Sequence, residues 1–199
     1  HRVDRRQRQM CIRDRYYGNG TTDNNNAGGL VVGRPWISGS PSLKYASGLY
    51  RTTYSGYFND VPTWFATATA TATAVDTSLT IGSIPTTTSI QFLGYFLART
   101  TETHTFYTTS DDASYLWVGT SAVSGFTTSN ALVNNGGLHG DVENSGTIAL
   151  TAGVYYPIRI QCGNNLVAGD ISVAFSTPSI SKTTNFTDFI FYNDNTNGI

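Results

Sequence analysis

Residues 92–119 read FLGYFLARTTETHTFYTTSDDASYLWVG, two apolar segments on either side of the acidic turn Ser110-Asp111-Asp112-Ala113. In 103–109 the apolar or aromatic residues recur with a period near two, and in 115–118 they run continuously. Both patterns predict strands that pack into a core. Two adjacent carboxylates at a strand junction have two competing explanations, a solvated polar turn or a hard-cation site of the kind that gathers about six to eight oxygens around calcium. Neighbouring side chains on a regular strand point to opposite faces. Asp111 and Asp112 therefore reach one ion only if the backbone between them departs from the strand.

Outward from this stretch the same logic predicts further strands over 78–84, 89–98, 146–151, 154–162, 170–175 and 188–192, separated by Gly, Asn, Asp and Ser. Short strands at this spacing predict an all-β domain, an antiparallel β-sandwich or barrel. The tract 65–74, FATATATATA, alternates threonine and alanine and reads as a strand or an ordered loop; a strand there places the hydroxyls on one face and the methyls on the other. One such tract is too short for the extended array of an ice-binding or fibrous repeat.

Composition agrees with an all-β reading. In 199 residues, 39% hydrophobic and 13% aromatic content supply a core for one or two domains, and 30 threonines against 13% charged residues favour strands and turns over helices. Six of the twelve basic residues lie in 1–15, which leaves 16–199 with a net charge of −5. A basic arm of this kind suits nucleic acid or an anionic membrane. However, RRQRQMCIRDR resembles translated sequencing-adapter sequence, and the chain opens on His1 as a fragment would. Residues 1–15 are accordingly set aside as an artefactual or disordered tail, and no nucleic-acid partner is expected. Residues 16–44 read as a loop-rich lead-in with a short edge strand at 30–32 and a sequon at Asn19; a second sequon stands at Asn185. Residues 177–199 read as a last strand or the start of a next segment. There is no apolar run of about eighteen residues, so no membrane insertion is expected. Cys11 and Cys162 are the only cysteines, and no structural disulfide is expected.

Several landmarks stand in a fixed order: Gly48-Leu49-Tyr50 with Tyr54, Gly94-Tyr95-Phe96, Thr105-Phe106, Asp111-Asp112, Leu116-Trp117-Val118-Gly119, Ser145-Gly146-Thr147, Ala152-Gly153, the run from Tyr155 to Ile160, and Gly163-Asn164. This series resembles the anthrax protective-antigen-type lectin-like domain family, which includes the yeast flocculin and GLEYA adhesins. The resemblance covers roughly residues 45–176, although the GLEYA pentapeptide itself is not reproduced and the disulfides of fungal flocculins have no counterpart. It implies a cis peptide bond between Asp111 and Asp112 and a Ca2+ ion held by both carboxylates. The Asn164 side chain and the backbone carbonyls of Leu166 and Ala168, from the loop GNNLVAGD, complete the implied set. Asn165 and Asp170 are further residues able to turn toward a sugar.

The implied function is a calcium-dependent carbohydrate-binding module, a lectin or adhesin that attaches to a cell surface or host and takes glycan hydroxyls on open positions of the ion. The alternative is a structural module of a virion or surface fibre that keeps the fold without binding sugar, with homo-oligomers expected if it belongs to a fibre. Either role places the protein outside the cell, on a cell or virion surface. Trp117 and Phe106 read as core, while Trp36 and Trp64, nearer loop-like sequence, are freer to meet a ligand. His104 and His139 lack a His or Cys partner at zinc spacing and read as structural or solvent-facing. Arg159 reads as a salt-bridging or ligand-facing residue. No GxSxG elbow, HExxH or phosphate loop is present, and Asp111 with Asp141, Glu143 or Asp170 forms no recognisable glycosidase pair; the chain is not expected to be an enzyme.

Overall fold

A computed structural model describes residues 45–194, 196 and 198–199. The tail 1–15 and the lead-in 16–44, with Cys11, Asn19, Trp36 and the edge strand expected at 30–32, lie outside the described residues. The described chain is an antiparallel β-sandwich. One sheet follows the order β1-β12-β5-β10-β7-β8, with β2 also paired to β5 and β3 to β2; the other follows β4-β11-β6-β9. The strands are β1 (Tyr45–Ser47), β2 (Leu49–Ser55), β3 (Ala70–Asp76), β4 (Thr80–Ile84), β5 (Thr88–Leu97), β6 (Glu102–Asp111), β7 (Ser114–Val118), β8 (Val133–Asn135), β9 (Val142–Leu150), β10 (Tyr155–Asn164), β11 (Gly169–Ser176) and β12 (Ile190–Asn193).

The opening stretch organises both layers. In β6 the period of two turns His104, Phe106, Thr108 and Ser110 inward, and the residues between them are more exposed. β5 and β7 are buried on both faces, which is why they read as near-continuous apolar runs. Phe96 of β5 meets Phe106 edge-on at 5.0 Å and Phe175 of β11 at 5.3 Å, locking the two sheets together. Such pairs each add about 0.5–1.5 kcal/mol beyond the area they bury. Phe186 and Ile190 are also buried in this core, and β12 hydrogen-bonds between β1 and β5.

A second cluster covers the outer face of the larger sheet, where Tyr54, Phe58, Phe65, Tyr115 and Trp117 pack beneath the loops at 56–69 and 119–131. Trp117 is fully buried and its indole N–H reaches Thr127 O and Asn130 Oδ1, each at 3.0 Å. Arg159 lies here with no carboxylate partner among the described residues. It donates to Ala122 O and Gln91 Oε1 and sits 4.0 Å from the Phe126 ring centroid. Burial lowers its pKa to about 10. Its role is internal packing, in place of the salt-bridging or ligand-facing role read from the alternation of β10.

One expectation changes in its bounds. The Thr-Ala tract does not form one strand from Phe65: a 3-10 turn, Pro62–Ala66, comes first because Pro62 suits its opening and Phe65 is drawn into the aromatic cluster. The strand proper begins at Ala70 and is mostly exposed on both faces, as an edge strand paired only with β2 among the described strands. Trp64 is half-buried, with its ring packed edge-on against Tyr54 and Phe65. His104 is fully buried, with Nδ1 3.1 Å from Glu102 O, and is a structural residue, one of the two roles read for it.

Candidate functional site

β6 and β7 are joined at Asp111-Asp112, and the peptide bond between these two residues is cis, as the family resemblance implied. Beneath the turn, Ser110 Oγ lies 2.7 Å from both Asp112 O and Ser114 Oγ, and Asn135 Nδ2 donates to Ser110 Oγ at 3.1 Å. These buried hydroxyl and amide groups satisfy the inward side of a turn that would otherwise strand its backbone polar atoms.

Asp112 is 8% exposed, and two distant loops hold its carboxylate. The main-chain N–H of His139 donates to Oδ1 at 3.0 Å, and that of Asn165 donates to Oδ2 at 2.9 Å. Backbone donors of this kind fix the direction of the carboxylate's remaining lone pairs. Asp111 is less deeply placed. Burial pushes its carboxyl above the ordinary aspartate range, and the charges of Asp112 and Asp141 add to that push.

Asn164 is the last residue of β10, opposite Thr88 of β5, so it stands on a strand end and not in the loop read from the sequence. Its Nδ2 donates to Ile84 O at 2.8 Å and Pro85 O at 3.1 Å, and to Val167 O. Three carbonyls around the amide nitrogen fix the amide orientation, since the oxygen in that place would face acceptors only. Asn164 Oδ1 is therefore the end left over. It is buried and has no hydrogen-bond partner among the described residues. Gly169 makes room beside it: a Cβ there would stand 2.0 Å from Asp111 O and 2.9 Å from Asn164 Cγ.

The remaining expected residues lie close by in different settings. Asn165 supplies its N–H to Asp112, and its carbonyl accepts from Thr87 N at 3.1 Å, tying the loop to the β4–β5 connection. Leu166 and Ala168 flank Val167 in the same loop, and all three are exposed. Asp170 pairs across the ladder with Asp111. Its carboxyl is raised by burial, then by Asp141 and Asp111.

Sequence reasoning missed two contributors. The loop at 136–140, whose histidine reads from the sequence as structural or solvent-facing, acts through the backbone N–H of His139. Asp60 braces that loop, accepting from Tyr115 Oη at 3.0 Å and Gly137 N at 3.4 Å. The only signals were the Gly136-Gly137 pair and the Asn59-Asp60 step, both residues of which adopt positive φ.

The residues fit a hard cation. Two carboxylates and a buried amide oxygen that lacks a partner form an all-oxygen set suited to calcium. Among the described residues no three His, Cys, Asp or Glu side chains are grouped to hold a metal, so a cation here would need amide and backbone oxygens beside the two carboxylates.

Residues 88–177 match the GLEYA domain family. No match was found among curated proteins. Among solved structures, an anti-sigma factor domain-containing protein shares 22% identity at a TM-score of 0.61 over 75% of this chain, which spans about half of that protein (49%). The A domain of Epithelial Adhesin 6 from Candida glabrata, solved in complex with Galβ1-3GlcNAc, shares 19% identity at a TM-score of 0.60 over 80% of this chain and 92% of its own. A PA14 sugar-binding domain from an RTX adhesin shares 14% identity at a TM-score of 0.57 over 69% and 94%. The family reading drawn from the ordered landmarks thus holds: residues 88–177 match the GLEYA domain, on a protective-antigen-type lectin-like fold.

Proposed function

We propose that this domain is a calcium-dependent carbohydrate-binding module that serves attachment at a cell surface. The observation that carries the reading is the buried, unpartnered Asn164 Oδ1 beside the Asp111-Asp112 pair. An unsatisfied buried amide oxygen costs about 1–3 kcal/mol, and a bound cation offsets that cost. Asp111, Asp112 and Asn164 are the side chains that would hold calcium, and the carbonyls of Leu166 and Ala168 are the further donors implied by the family likeness. When bound, the ion would supply a Lewis-acidic centre for vicinal sugar hydroxyls.

The chain's own residues supply the rest. The N–H groups of His139 and Asn165 orient Asp112, and the carbonyls of Ile84, Pro85 and Val167 orient the Asn164 amide, while Asp170 and Asn165 would be the further residues offered to sugar hydroxyls. The GLEYA match and the glycan-bound adhesin among the structural neighbours support binding over catalysis and a surface location. Among the described residues no helix is long and apolar enough to cross a membrane.

A glycan array probed in calcium and again in chelator tests the reading. Binding to a defined subset of glycans that disappears in chelator is expected. Binding that is identical in chelator would contradict the calcium dependence, and no binding to any glycan would contradict the lectin role.

A further inference from the structure

The Thr-Ala tract has no part in the site above. It forms β3, the edge strand beyond β2, and five of the seven residues of that strand are exposed. An unpaired edge presents a row of N–H and C=O groups to any strand that can pair with it, and folded proteins ordinarily blunt such edges. The other edges among the described strands are blunted. β1 and β8 are three residues long. β4 has five residues, one of them Gly82, and its ladder with β11 shifts register between Gly169 and Ile171. β9 is longer, but its Glu143 is ion-paired to Lys182. β3 lacks these devices over most of its length: no charged residue stands between Asp60 and Asp76, and the strand contains neither Pro nor Gly.

The tract is also complementary to itself. The ladder with β2 is regular from Ala72 to Asp76 and skips Thr71, while Asp76 is held by Arg51 at 2.7 Å. The uncharged segment 71–75 therefore has Thr73 at its centre. Residues that face each other across an antiparallel pair share one side of the sheet, so a strand that meets its own copy brings together residues of equal parity. About an axis at Thr73, Thr73 faces Thr73, Ala72 faces Ala74, and Thr71 at the bulge comes opposite Val75. β-Branched side chains then meet on one side and methyl groups on the other, with no like charges opposed. Pairing also shields Val75, which is 42% exposed in the single chain. This match is to a second copy, and nothing comparable singles out a foreign strand.

We propose that β3 is a self-association edge, through which two copies of this chain pair antiparallel about a twofold axis at Thr73 and join their larger sheets. The dimer carries two Asp111-Asp112 turns, so attachment to a surface gains from multivalency. The pairing itself does not depend on calcium. One strand pair is a small interface, so association is reversible, with an expected Kd between about 1 μM and 1 mM.

Sedimentation velocity on the whole chain in chelator, over a concentration series, tests the proposal with charges placed at the axis. The wild-type protein should pass from monomer to dimer within that range. Thr73→Lys and Thr73→Glu are each expected to weaken self-association at least about tenfold, because like charges then face each other. An equimolar mixture of the two variants should form a mixed dimer at least as tightly as wild type, an outcome that misfolding of either variant would not produce. Thr147→Lys, at an exposed position of β9, should leave the dimer unchanged. A chain that stays monomeric to about 1 mM would overturn the proposal. A dimer indifferent to both Thr73 variants, a mixture that stays monomeric, or an equal loss with Thr147→Lys would overturn it as well.

Discussion

The main-chain N–H of Asn165 donates to Asp112 Oδ2 at 2.9 Å across 53 residues of sequence. With His139 N–H on Oδ1, it makes the Asp112 carboxylate the junction of the acidic turn and two loops that share no strand with it. Asp112→Ala leaves both half-buried donors without their acceptor, where solvent offsets part of the loss. Charge-assisted bonds of this type contribute about 1.5–3 kcal/mol each, so a loss of about 2–4 kcal/mol is expected by urea denaturation in chelator. A loss below about 0.5 kcal/mol would mean that the loops are held by something else.

Gly169 and Gly82 make a controlled pair. A Cβ at Gly169 meets the Asp111 carbonyl at 2.0 Å, whereas one at Gly82 meets nothing within 4 Å. Gly169→Ala is expected to destabilise by about 1–3 kcal/mol and to weaken calcium binding, because backbone must move where it touches both Asp111 and Asn164. Gly82→Ala should be close to neutral in both measurements. Equal effects at the two positions would refute the close approach as the cause.

The chelated protein should respond to pH through Asp111 and Asp170. Both carboxyls titrate above their ordinary value of 3.8 in the folded state, owing first to burial and then to neighbouring carboxylates, Asp141 among them. Their contribution to stability is therefore full below the ordinary range and is lost as pH rises through the raised values. Asp170→Asn removes one such charge, so it should raise the melting temperature at pH 7 in chelator and reduce the difference between pH 7 and pH 4. Solvent screening at this partly exposed position keeps the gain below about 1 kcal/mol. A lower melting temperature at pH 7 would show that the Asp170 charge stabilises the chelated fold.

Much of this fold was legible because local pattern and tertiary environment agree. In β6 the alternation from His104 to Ser110 matches the inward face, and the unbroken run from Tyr115 to Val118 matches a strand covered on both sides. The Asp111-Asp112 pair could be singled out for the same reason, since acidic residues are unusual at the junction of two buried strands. The loops that complete its surroundings were not legible. The contacts of Asp112 with His139 and Asn165 span 27 and 53 residues, and donors on the main chain leave no mark in residue identity. Asn164 was recognised only through the family landmarks, because its strand-end position and its amide's three carbonyl partners are products of tertiary packing. Phe65 shows the opposite failure: alternation alone extended a strand through a residue that the aromatic cluster draws into a turn.

Calcium calorimetry on the protein and on Asn164→Ala, with thermal melting in calcium and in chelator, tests the central claim most directly. The wild-type protein should bind one calcium ion and melt higher in calcium than in chelator. In Asn164→Ala, the loss of Oδ1 should weaken binding at least about tenfold, corresponding to about 1.4 kcal/mol. Absence of saturable binding, with identical melting in calcium and chelator, would contradict the account and leave the Asp111-Asp112 turn as architecture alone.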